Sequence, residues 1–251
     1  MTDSPFSLEG KTVLITGASS GIGRASAVEC SLAGASCCIL VARDFSRLSE
    51  TASLMDSRTE VISFSTDLTD NEAVEAMVKE LPKLDAVLLN AGINKMQLVP
   101  FYSEAEIGRI FSVNCFSPML LMKLLVKKKK LNKPSSVVFM ASISGHTNVS
   151  HGNGVYGASK AALSAYMKYA ALELAPKGIR CNAIHPGRVE TALISGSPLD
   201  EEAVKADKEK YPMKRYADPR EIAWSVVYLF SDAAAWITGS DLIIDGGRSL
   251  T

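Results

Sequence analysis

Residues 12–23 read TVLITGASSGIG, and this stretch is the strongest local indication of the fold. Its first part, Thr12–Thr16, is apolar and β-branched, as expected for a buried strand, and a helical stretch follows its glycines. Gly17, Gly21 and Gly23 allow a sharp turn and a close approach of the main chain to a ligand. The following helix would offer free amides and the positive end of its dipole to a pyrophosphate. The stretch therefore predicts a strand–turn–helix unit that binds a nucleotide. Its G-x-x-x-G-x-G spacing departs from G-x-G-x-x-G, and a turn without a ligand is the alternative.

Similar short apolar runs recur along the chain. They comprise residues 37–41, 61–65, 86–90, 137–141, 181–184 and 242–245. Apolar runs without polar alternation suit strands buried on both faces, and amphipathic helical stretches separate them. This alternation predicts an α/β fold with a Rossmann-type, doubly wound parallel sheet. No linker or repeat divides the sequence, so residues 1–251 are predicted to form a single domain.

The composition limits the partners that this chain would have. Lys plus Arg and Asp plus Glu each number 27, so no net field attracts nucleic acid or an anionic membrane, and neither is predicted as a partner. The N-terminal residues show no basic segment followed by an apolar run, and Lys123 interrupts the most apolar later stretch, 119–126. The five cysteines have no metal-binding spacing. They predict reduced core residues in a cytoplasmic protein, and no metal site.

Two residues at the end of the second predicted strand bear on the choice of nucleotide. An acidic residue there would bind the ribose 2′-hydroxyl of NAD(H), whereas an arginine would pair with the 2′-phosphate of NADP(H). Arg43 therefore favours NADP(H) over NAD(H). Asp44 follows it directly and leaves NAD(H) open as the alternative.

Further polar residues stand where later strands end, at the edge at which open α/β sheets bind ligands. They include Asp67, the Asn-Ala-Gly segment 90–92 and Ser142, which could orient a substrate oxygen. Asp, Asn and Gly are also common in turns, so a structural reading stays open for the first two. His146 and His151 are predicted to line or rim the pocket rather than to perform catalysis, because no serine-hydrolase elbow accompanies them.

Tyr156 and Lys160 lie four residues apart in a helical stretch and therefore share one helix face. A cation held near a phenol favours its ionised form and lowers its pKa towards neutrality. Tyr156 is thus a candidate general acid or base. The alternative is that the pair occurs by accident, and the other motifs of the chain decide between the two interpretations.

A long helix is predicted over about residues 104–130, with Asn114 and Pro118 inside it. The ring of Pro118 clashes with the carbonyl four residues earlier, which belongs to Asn114. We expect a kink that frees this carbonyl to accept a hydrogen bond from water, with a plain space-filling kink as the alternative.

Together, these motifs resemble the short-chain dehydrogenase/reductase family over nearly the whole chain. The motifs are Gly17, Gly21, Gly23, Asp67, Asn90, Ala91, Gly92, Asn114, Ser142, Tyr156, Lys160, Pro186, Gly187 and the terminal Asp-Gly-Gly of 245–247. The resemblance implies an NAD(P)(H)-dependent oxidoreductase that interconverts a carbonyl and a secondary alcohol by hydride transfer.

The resemblance implies a catalytic set of Asn114, Ser142, Tyr156 and Lys160. Tyr156 would be the general acid or base, Lys160 would lower its pKa and bind the nicotinamide ribose, and Ser142 would hold the substrate oxygen. The main-chain carbonyl of Asn114 would anchor a water linked to Lys160. The interval from Ser142 to Tyr156 is one residue longer than the usual spacing, which leaves Ser144 as a second candidate for the serine role.

The resemblance also implies a set of cofactor-binding residues. They are Gly17, Ser19, Ser20, Gly21, Ile22, Gly23, Arg43, Asp67, Leu68, Asn90, Ala91, Gly92, Tyr156, Lys160, Pro186, Gly187, Val189 and Thr191. The segment between Gly34 and Arg43 is one residue longer than the usual spacing, which weakens the link between Arg43 and the 2′-phosphate.

Within the family, the compact length and terminal segment resemble 3-oxoacyl-thioester reductases. Hydroxysteroid and sugar or polyol dehydrogenases are the alternatives, and a catalytically silent dinucleotide-binding sensor is the alternative from another class. The substrate would be a small molecule whose recognition depends on the loops around 93–101, 146–154 and 188–216, with 195–216 as a mobile lid. Family members commonly form tetramers, so a homo-oligomer is expected through segments 111–126 and 161–171.

Overall fold

Parallel strands form one sheet in a computed structural model that describes residues 4–191 and 201–251. Within these residues the sheet has seven strands in the order β3-β2-β1-β4-β5-β6-β7. The strands are β1 (Thr12–Thr16), β2 (Cys37–Ala42), β3 (Glu60–Ser65), β4 (Leu84–Leu89), β5 (Leu131–Met140), β6 (Ile179–Pro186) and β7 (Asp241–Ile244). This order confirms the predicted doubly wound Rossmann-type sheet. All seven strands are parallel, and the order in which the chain adds strands to the sheet reverses between β1 and β4.

Helices connect the strands and cover both faces of the sheet. They are α1 (Gly21–Leu32), α2 (Phe45–Ser53), α3 (Asn71–Glu80), α4 (Glu104–Phe111), α5 (Ser117–Lys127), α6 (Gly154–Leu174), α7 (Glu201–Lys208) and α8 (Pro219–Phe230). Short polar side chains begin several of them: Asp70 caps α3, Ser103 caps α4, and Asp218 with Glu221 forms a capping box on α8. Each cap accepts hydrogen bonds from main-chain N–H groups that have no partner within the helix.

Alternate residues of each strand enter two separate cores, one on each face of the sheet. In β1, Leu14 packs on the face of α3, α5 and α6, whereas Val13 and Ile15 pack on the face of α1 and α8. Burial on both faces explains why the strands read as unbroken apolar runs. All five cysteines are free and buried, in agreement with their predicted place in the core.

Every predicted strand is present, but several bounds were wrong. β5 begins at Leu131 instead of residue 137, and β6 runs from Ile179 to Pro186 instead of 181–184. The apolar run marks only the part of a strand that is buried on both faces. Polar residues continue the backbone pairing beyond it, as where Ser135 pairs with Ile179.

The single helix predicted over 104–130 is two helices, α4 and α5, joined by a π-turn at Ser112–Phe116. The interruption falls just before Pro118, which has no N–H to donate. The backbone therefore forms a π-turn, whose hydrogen bonds span one residue more than those of an α-helix, and then returns to α-helical geometry. The Ser117 hydroxyl donates to the Ser112 carbonyl at 2.7 Å. The free main-chain carbonyl of Asn114 stays a prediction.

The span Glu104–Lys127 is long and apolar enough to cross a membrane, with a mean hydropathy of 1.4. Core helices of globular proteins meet the same criteria of length and hydropathy, and 44% of the apolar 18-residue window in this span is buried inside the protein. Leu121, Met122 and Leu125 of this span pack in the core against the sheet. The absence of a membrane partner stays a prediction.

The mobile lid predicted over 195–216 is only partly a loop. Residues 192–200 lie outside the described part of the chain, and α7 occupies Glu201–Lys208. The segment 188–217 is closed at its base, where Glu190 N–H donates to Ala217 O at 2.9 Å and Ala217 N–H donates to Arg188 O at 3.0 Å.

Helices α1 and α8 are joined by one nearly buried carboxylate, that of Glu29, whose side chain is 10% exposed. It accepts hydrogen bonds from Arg220 Nε at 2.8 Å and from Trp224 Nε1 at 2.9 Å. We expect Glu29→Ala to lower the free energy of unfolding by about 1–3 kcal/mol, because the substitution removes two hydrogen bonds to a charged group. Urea denaturation measures this value.

The matched control is Glu80→Ala, at an exposed position in the last turn of α3. Its free energy of unfolding should stay within about 0.5 kcal/mol of the parent. Equal effects of the two substitutions would contradict a specific role for Glu29.

Candidate active site

A large cleft opens where the carboxyl ends of β1, β2, β4, β5 and β6 meet. Its volume is about 2140 Å³, which exceeds the ~300–1,000 Å³ of ordinary small-molecule pockets and leaves room for a dinucleotide beside a substrate. Most of the predicted site residues line it. They are Gly17, Ser19, Ser20, Gly21, Ile22, Arg43, Asp67, Leu68, Asn90, Ala91, Gly92, Ser142, Tyr156, Lys160, Pro186, Gly187, Val189 and Thr191.

The glycine-rich turn leads directly into the N-terminus of α1, and this arrangement fits a pyrophosphate. Ser20 is the N-cap, yet its side chain makes no capping hydrogen bond, so the first-turn N–H groups remain available to an anion at this end of the helix. Gly23, predicted to bind the cofactor, does not line the cleft. A Cβ there would overlap the main-chain oxygen of Gly17 and lie 2.7 Å from Asn90 Nδ2. Gly23 therefore allows α1 to pack against the ends of two strands.

At the end of β2, Arg43 is exposed and lines the cleft, and its charge contributes to lowering the pKa of Asp67. The larger causes of that shift are hydrogen bonds from the Thr69 main chain and hydroxyl to Asp67, at 2.9 and 2.7 Å. Asp44 has a different task, because its carboxylate accepts from Arg47 N–H at 3.1 Å and caps α2. The acidic alternative at this strand end is thus engaged in starting a helix.

The side chains of Ser142, Tyr156 and Lys160 converge on the inner wall of the cleft. Lys160 is buried, and its Nζ donates to Met140 O at 2.8 Å and lies 5.9 Å from the centre of the Tyr156 ring. Burial lowers the pKa of Lys160 to about 8, because an ammonium loses hydration there.

The expectation that Lys160 lowers the pKa of Tyr156 was wrong for this structure. Burial raises the pKa of the Tyr156 phenol, and a hydrogen bond from Ser142 opposes that rise in part. Desolvation disfavours the phenolate, and the same burial disfavours the charged form of the Lys160 ammonium that was expected to stabilise it. The Ser142 contact also places Ser142, rather than Ser144, beside the phenol. Ser144 lies at the cleft wall as well, where its main-chain N–H donates to Ser142 Oγ at 3.1 Å.

Asn114 does not line the cleft but joins two elements that form its wall. Its fully buried side chain accepts from Ile93 N–H at 2.8 Å and donates to Ile93 O at 2.9 Å. Its Nδ2 also donates to Ser159 Oγ at 3.1 Å. Asn114 thereby fixes the loop after β4 to helix α6, which carries Tyr156 and Lys160.

The two histidines predicted to line or rim the pocket lie in different cavities. His151 lines the cleft, as predicted, but His146 lies in a different, smaller depression with Ser164 and Lys168. The prediction for His146 was wrong because the chain turns outward at Gly145 (φ +80°), which points the next residue away from the site.

A polar wall beside Tyr156 is formed by residues of the two loops, 93–101 and 146–154, that were predicted to help recognise the substrate. Asn94 donates from Nδ2 to Asn153 Oδ1 at 2.9 Å, and both residues line the cleft. Among the described residues, Asn94 Oδ1 is one of the buried side-chain atoms that make no hydrogen bond. The sequence indicated the loop, since it begins directly after the Asn-Ala-Gly segment 90–92, but not the contact between Asn94 and Asn153.

Comparison with known proteins agrees with this geometry. A family model described as enoyl-(acyl carrier protein) reductase matches residues 17–249. The chain is 31% identical over 249 residues to rat dehydrogenase/reductase SDR family member 6, covering 97% of this chain and 99% of the relative. It is 35% identical over 250 residues to 2-keto-3-deoxy-L-fuconate dehydrogenase of Xanthomonas campestris, covering 96% and 81% of the two chains.

Among solved structures, the Pseudomonas aeruginosa RhlG/NADP active-site complex superposes with a TM-score of 0.90 at 28% identity, covering 97% of this chain and 98% of that one. The fold, the cleft and the full-length relatives lead to one conclusion: this chain belongs to the short-chain dehydrogenase/reductase family and is an oxidoreductase.

Proposed function

We propose that this protein interconverts a carbonyl and a secondary alcohol with NADP(H), using Tyr156 as the proton donor and acceptor. The observation that carries the proposal is the convergence of Ser142, Tyr156 and Lys160 on one wall of a dinucleotide-sized cleft. A catalytically silent sensor would not need this proton machinery, and all of it is present.

The bound nicotinamide would supply or accept the hydride. The Tyr156 phenol would donate its proton to the carbonyl oxygen during reduction and remove it from the alcohol during oxidation. Its raised pKa keeps the phenol protonated, which suits it to act as an acid in the reducing direction. The Ser142 hydroxyl would hold the substrate oxygen beside it. Lys160 would bind the ribose and replenish the proton, since its pKa of about 8 allows exchange near neutrality.

Removal of the Tyr156 hydroxyl tests this role. Tyr156→Phe keeps the ring and deletes the proton, so we expect the turnover number to fall by at least about 100-fold with nearly unchanged NADPH affinity. Steady-state kinetics and fluorescence titration measure the two quantities. Tyr169→Phe, on the same helix but 67% exposed, is the control and should keep parental kinetics. Parental turnover in Tyr156→Phe would show that the proton comes from elsewhere.

We also propose that NADP(H) is preferred to NAD(H). Arg43 is exposed at the cleft and close enough to influence Asp67, whereas Asp44 is engaged as the cap of α2. A guanidinium suits the 2′-phosphate, and a capping carboxylate is less free to bind a 2′-hydroxyl. NADP is bound in the similar RhlG structure.

The cofactor preference depends on one charge and can be tested by removing it. Arg43→Ala should raise the Michaelis constant for NADPH by about 10–100-fold and leave that for NADH within about two-fold, since a charge-assisted contact contributes ~1.5–3 kcal/mol. Arg58→Ala, at an exposed cation paired with Asp56, is the control. An equal rise for both cofactors would contradict a 2′-phosphate contact.

For the substrate we propose a small molecule rich in hydroxyl groups, of the sugar or polyol type. The amides of Asn94 and Asn153 on the cleft wall would exchange hydrogen bonds with substrate hydroxyls, and the buried Asn94 Oδ1 has no hydrogen-bond partner among the described residues. Asn153, His151 and Asn148 extend the same polar wall. One of the full-length relatives is named as a dehydrogenase of a sugar acid, 2-keto-3-deoxy-L-fuconate.

The 3-oxoacyl-thioester alternative would need basic residues for a carrier protein. Three basic residues of the predicted substrate loop could serve this purpose, and each is paired within the chain: Arg188 with Asp207 at 3.1 Å, Lys214 with Glu209 at 3.3 Å, and Arg215 with Glu221 at 2.6 Å. These internal ion pairs leave less positive charge to bind an acidic carrier protein. The polar wall of the cleft, in turn, favours a sugar or polyol substrate.

A substrate panel distinguishes the two readings. We expect turnover of sugar acids, sugars or polyols above that of acetoacetyl thioesters, and we expect Asn94→Ala to raise the Michaelis constant of the preferred substrate by about 10-fold while NADPH affinity is kept. Assays at the nicotinamide absorbance measure both. Preferred turnover of the thioester, or an Asn94→Ala variant with unchanged kinetics, would overturn the sugar proposal.

We further propose a homotetramer in the cytoplasm. Large apolar side chains remain exposed on α5 and α6, among them Leu120 (37%), Tyr169 (67%) and Leu172 (76%). Such residues on neighbouring helices suit a two-fold interface.

A further inference from the structure

Behind the active-site serine, His146, His185 and Asp241 bring their side chains together from three parts of the chain. His146 follows β5, His185 lies near the end of β6, and Asp241 begins β7. The two imidazole rings are 4.3 Å apart between centres. Asp241 Oδ1 lies 2.9 Å from His185 Nε2, and its Oδ2 lies 3.7 Å from His146 Nε2. All three potential ligand atoms fall within 4.8 Å of one another.

The hydrogen bonds of His185 indicate a cation between it and Asp241. Its Nδ1 lies 2.9 Å from the main-chain oxygen of Ser142, and a carbonyl only accepts, so Nδ1 carries the hydrogen. In the neutral ring the Nε2 lone pair then faces the Asp241 carboxylate at 2.9 Å, where both atoms are acceptors. Either a second proton or a metal ion must lie between them. Histidine ligands of metals characteristically donate their other ring N–H to a main-chain carbonyl, as His185 does.

We propose that His146, His185 and Asp241 form a binding site for a divalent transition-metal ion, with Zn²⁺ as the best fit. Imidazole nitrogens and a carboxylate oxygen are the ligands that Zn²⁺ accepts, and a tetrahedral site with ~2.0–2.1 Å bonds separates them by roughly 3.3–3.4 Å. The separations of 2.9 and 3.7 Å lie on either side of this value, so side-chain rotations suffice. Ser164 Oγ, 2.8 Å from Asp241 Oδ1, or a water would complete the coordination.

The site is open to solvent on one side. The His146 side chain is 29% exposed and lines a surface depression with Gly145, Ser164 and Lys168. His185 is fully buried beneath it. An ion would therefore approach through the depression, and its binding would fix the Ser142 main chain through His185.

Lys168 is the competitor that makes the proposal sharply testable. Its Nζ lies 2.8 Å from Asp241 Oδ2 and supplies the positive charge that a metal ion would replace. The side chain is 56% exposed, so it is free to swing into solvent. Because a metal must displace this ammonium, its removal should strengthen metal binding at Asp241, whereas a metal bound elsewhere would not respond.

The test is a titration of the full-length, tag-free protein with Zn²⁺ in competition with a chromophoric chelator. We expect one Zn²⁺ per chain, with affinity about 10-fold higher in Lys168→Met and about 100-fold lower in His146→Gln. His151→Gln, which changes a histidine of the other cavity, should bind as the parent does. The cysteines are buried and should not compete. Thermal unfolding with and without Zn²⁺ provides a second readout, since a ligand of the native state raises the melting temperature.

Failure of both the parent and Lys168→Met to bind Zn²⁺ stoichiometrically would overturn the proposal. Equal affinities of the parent and Lys168→Met would also overturn it, because the ion would then lie elsewhere. This comparison decides even if His146→Gln fails to fold, since Lys168 is a surface residue. Each readout is independent of substrate and cofactor, so the result stands apart from the proposed function.

Discussion

The structure depends on the contact between the ends of β1 and β4, the point at which the strand order reverses. Thr16 Oγ1 accepts from the main-chain N–H groups of Asn90 and Ala91 at 2.9 and 3.1 Å and donates to Leu88 O at 3.2 Å. Asn90 Nδ2 donates back to Thr16 O at 3.1 Å. These bonds join the two strand ends from which loops leave the sheet in opposite directions, and the crevice between those loops is where open α/β sheets bind ligands.

Burial then sets the chemistry inside that crevice. Lys160 is held by Met140 O on β5, and Asn114 ties the loop after β4 to the same helix. The ammonium and the phenol both lose hydration, which disfavours each charged form: it raises the pKa of Tyr156 and lowers that of Lys160 to about 8. A phenol that keeps its proton is suited to donate it, and an ammonium with a pKa of about 8 can exchange a proton near neutrality. The burial of these two side chains on α6 thus contributes to the proton path.

The His185–Asp241 pair connects the active-site wall at Ser142 to a second polar cluster at β6 and β7. His185 is fully buried and contacts Ser142 through the main chain, so the position of the serine is linked to a polar cluster that opens on a different surface. Buried polar groups need partners because desolvation is costly. This cluster is arranged around one carboxylate that serves Ser164, Lys168 and His185 together.

The fold class and the strand–turn–helix at 12–23 could be predicted from the sequence, because apolar periodicity and glycine spacing are local. Most residues of the cleft could be predicted as well, partly because the carboxyl ends of parallel strands share one edge and partly through the family resemblance. The tertiary structure alone decided three features. The pKa of Tyr156 follows from burial, which no spacing reports. Pro118 predicted a break in the long helix, but only the structure shows that this break is a π-turn over Ser112–Phe116. His146, His185 and Asp241 are far apart in the chain, and only the pairing of β5, β6 and β7 brings them together.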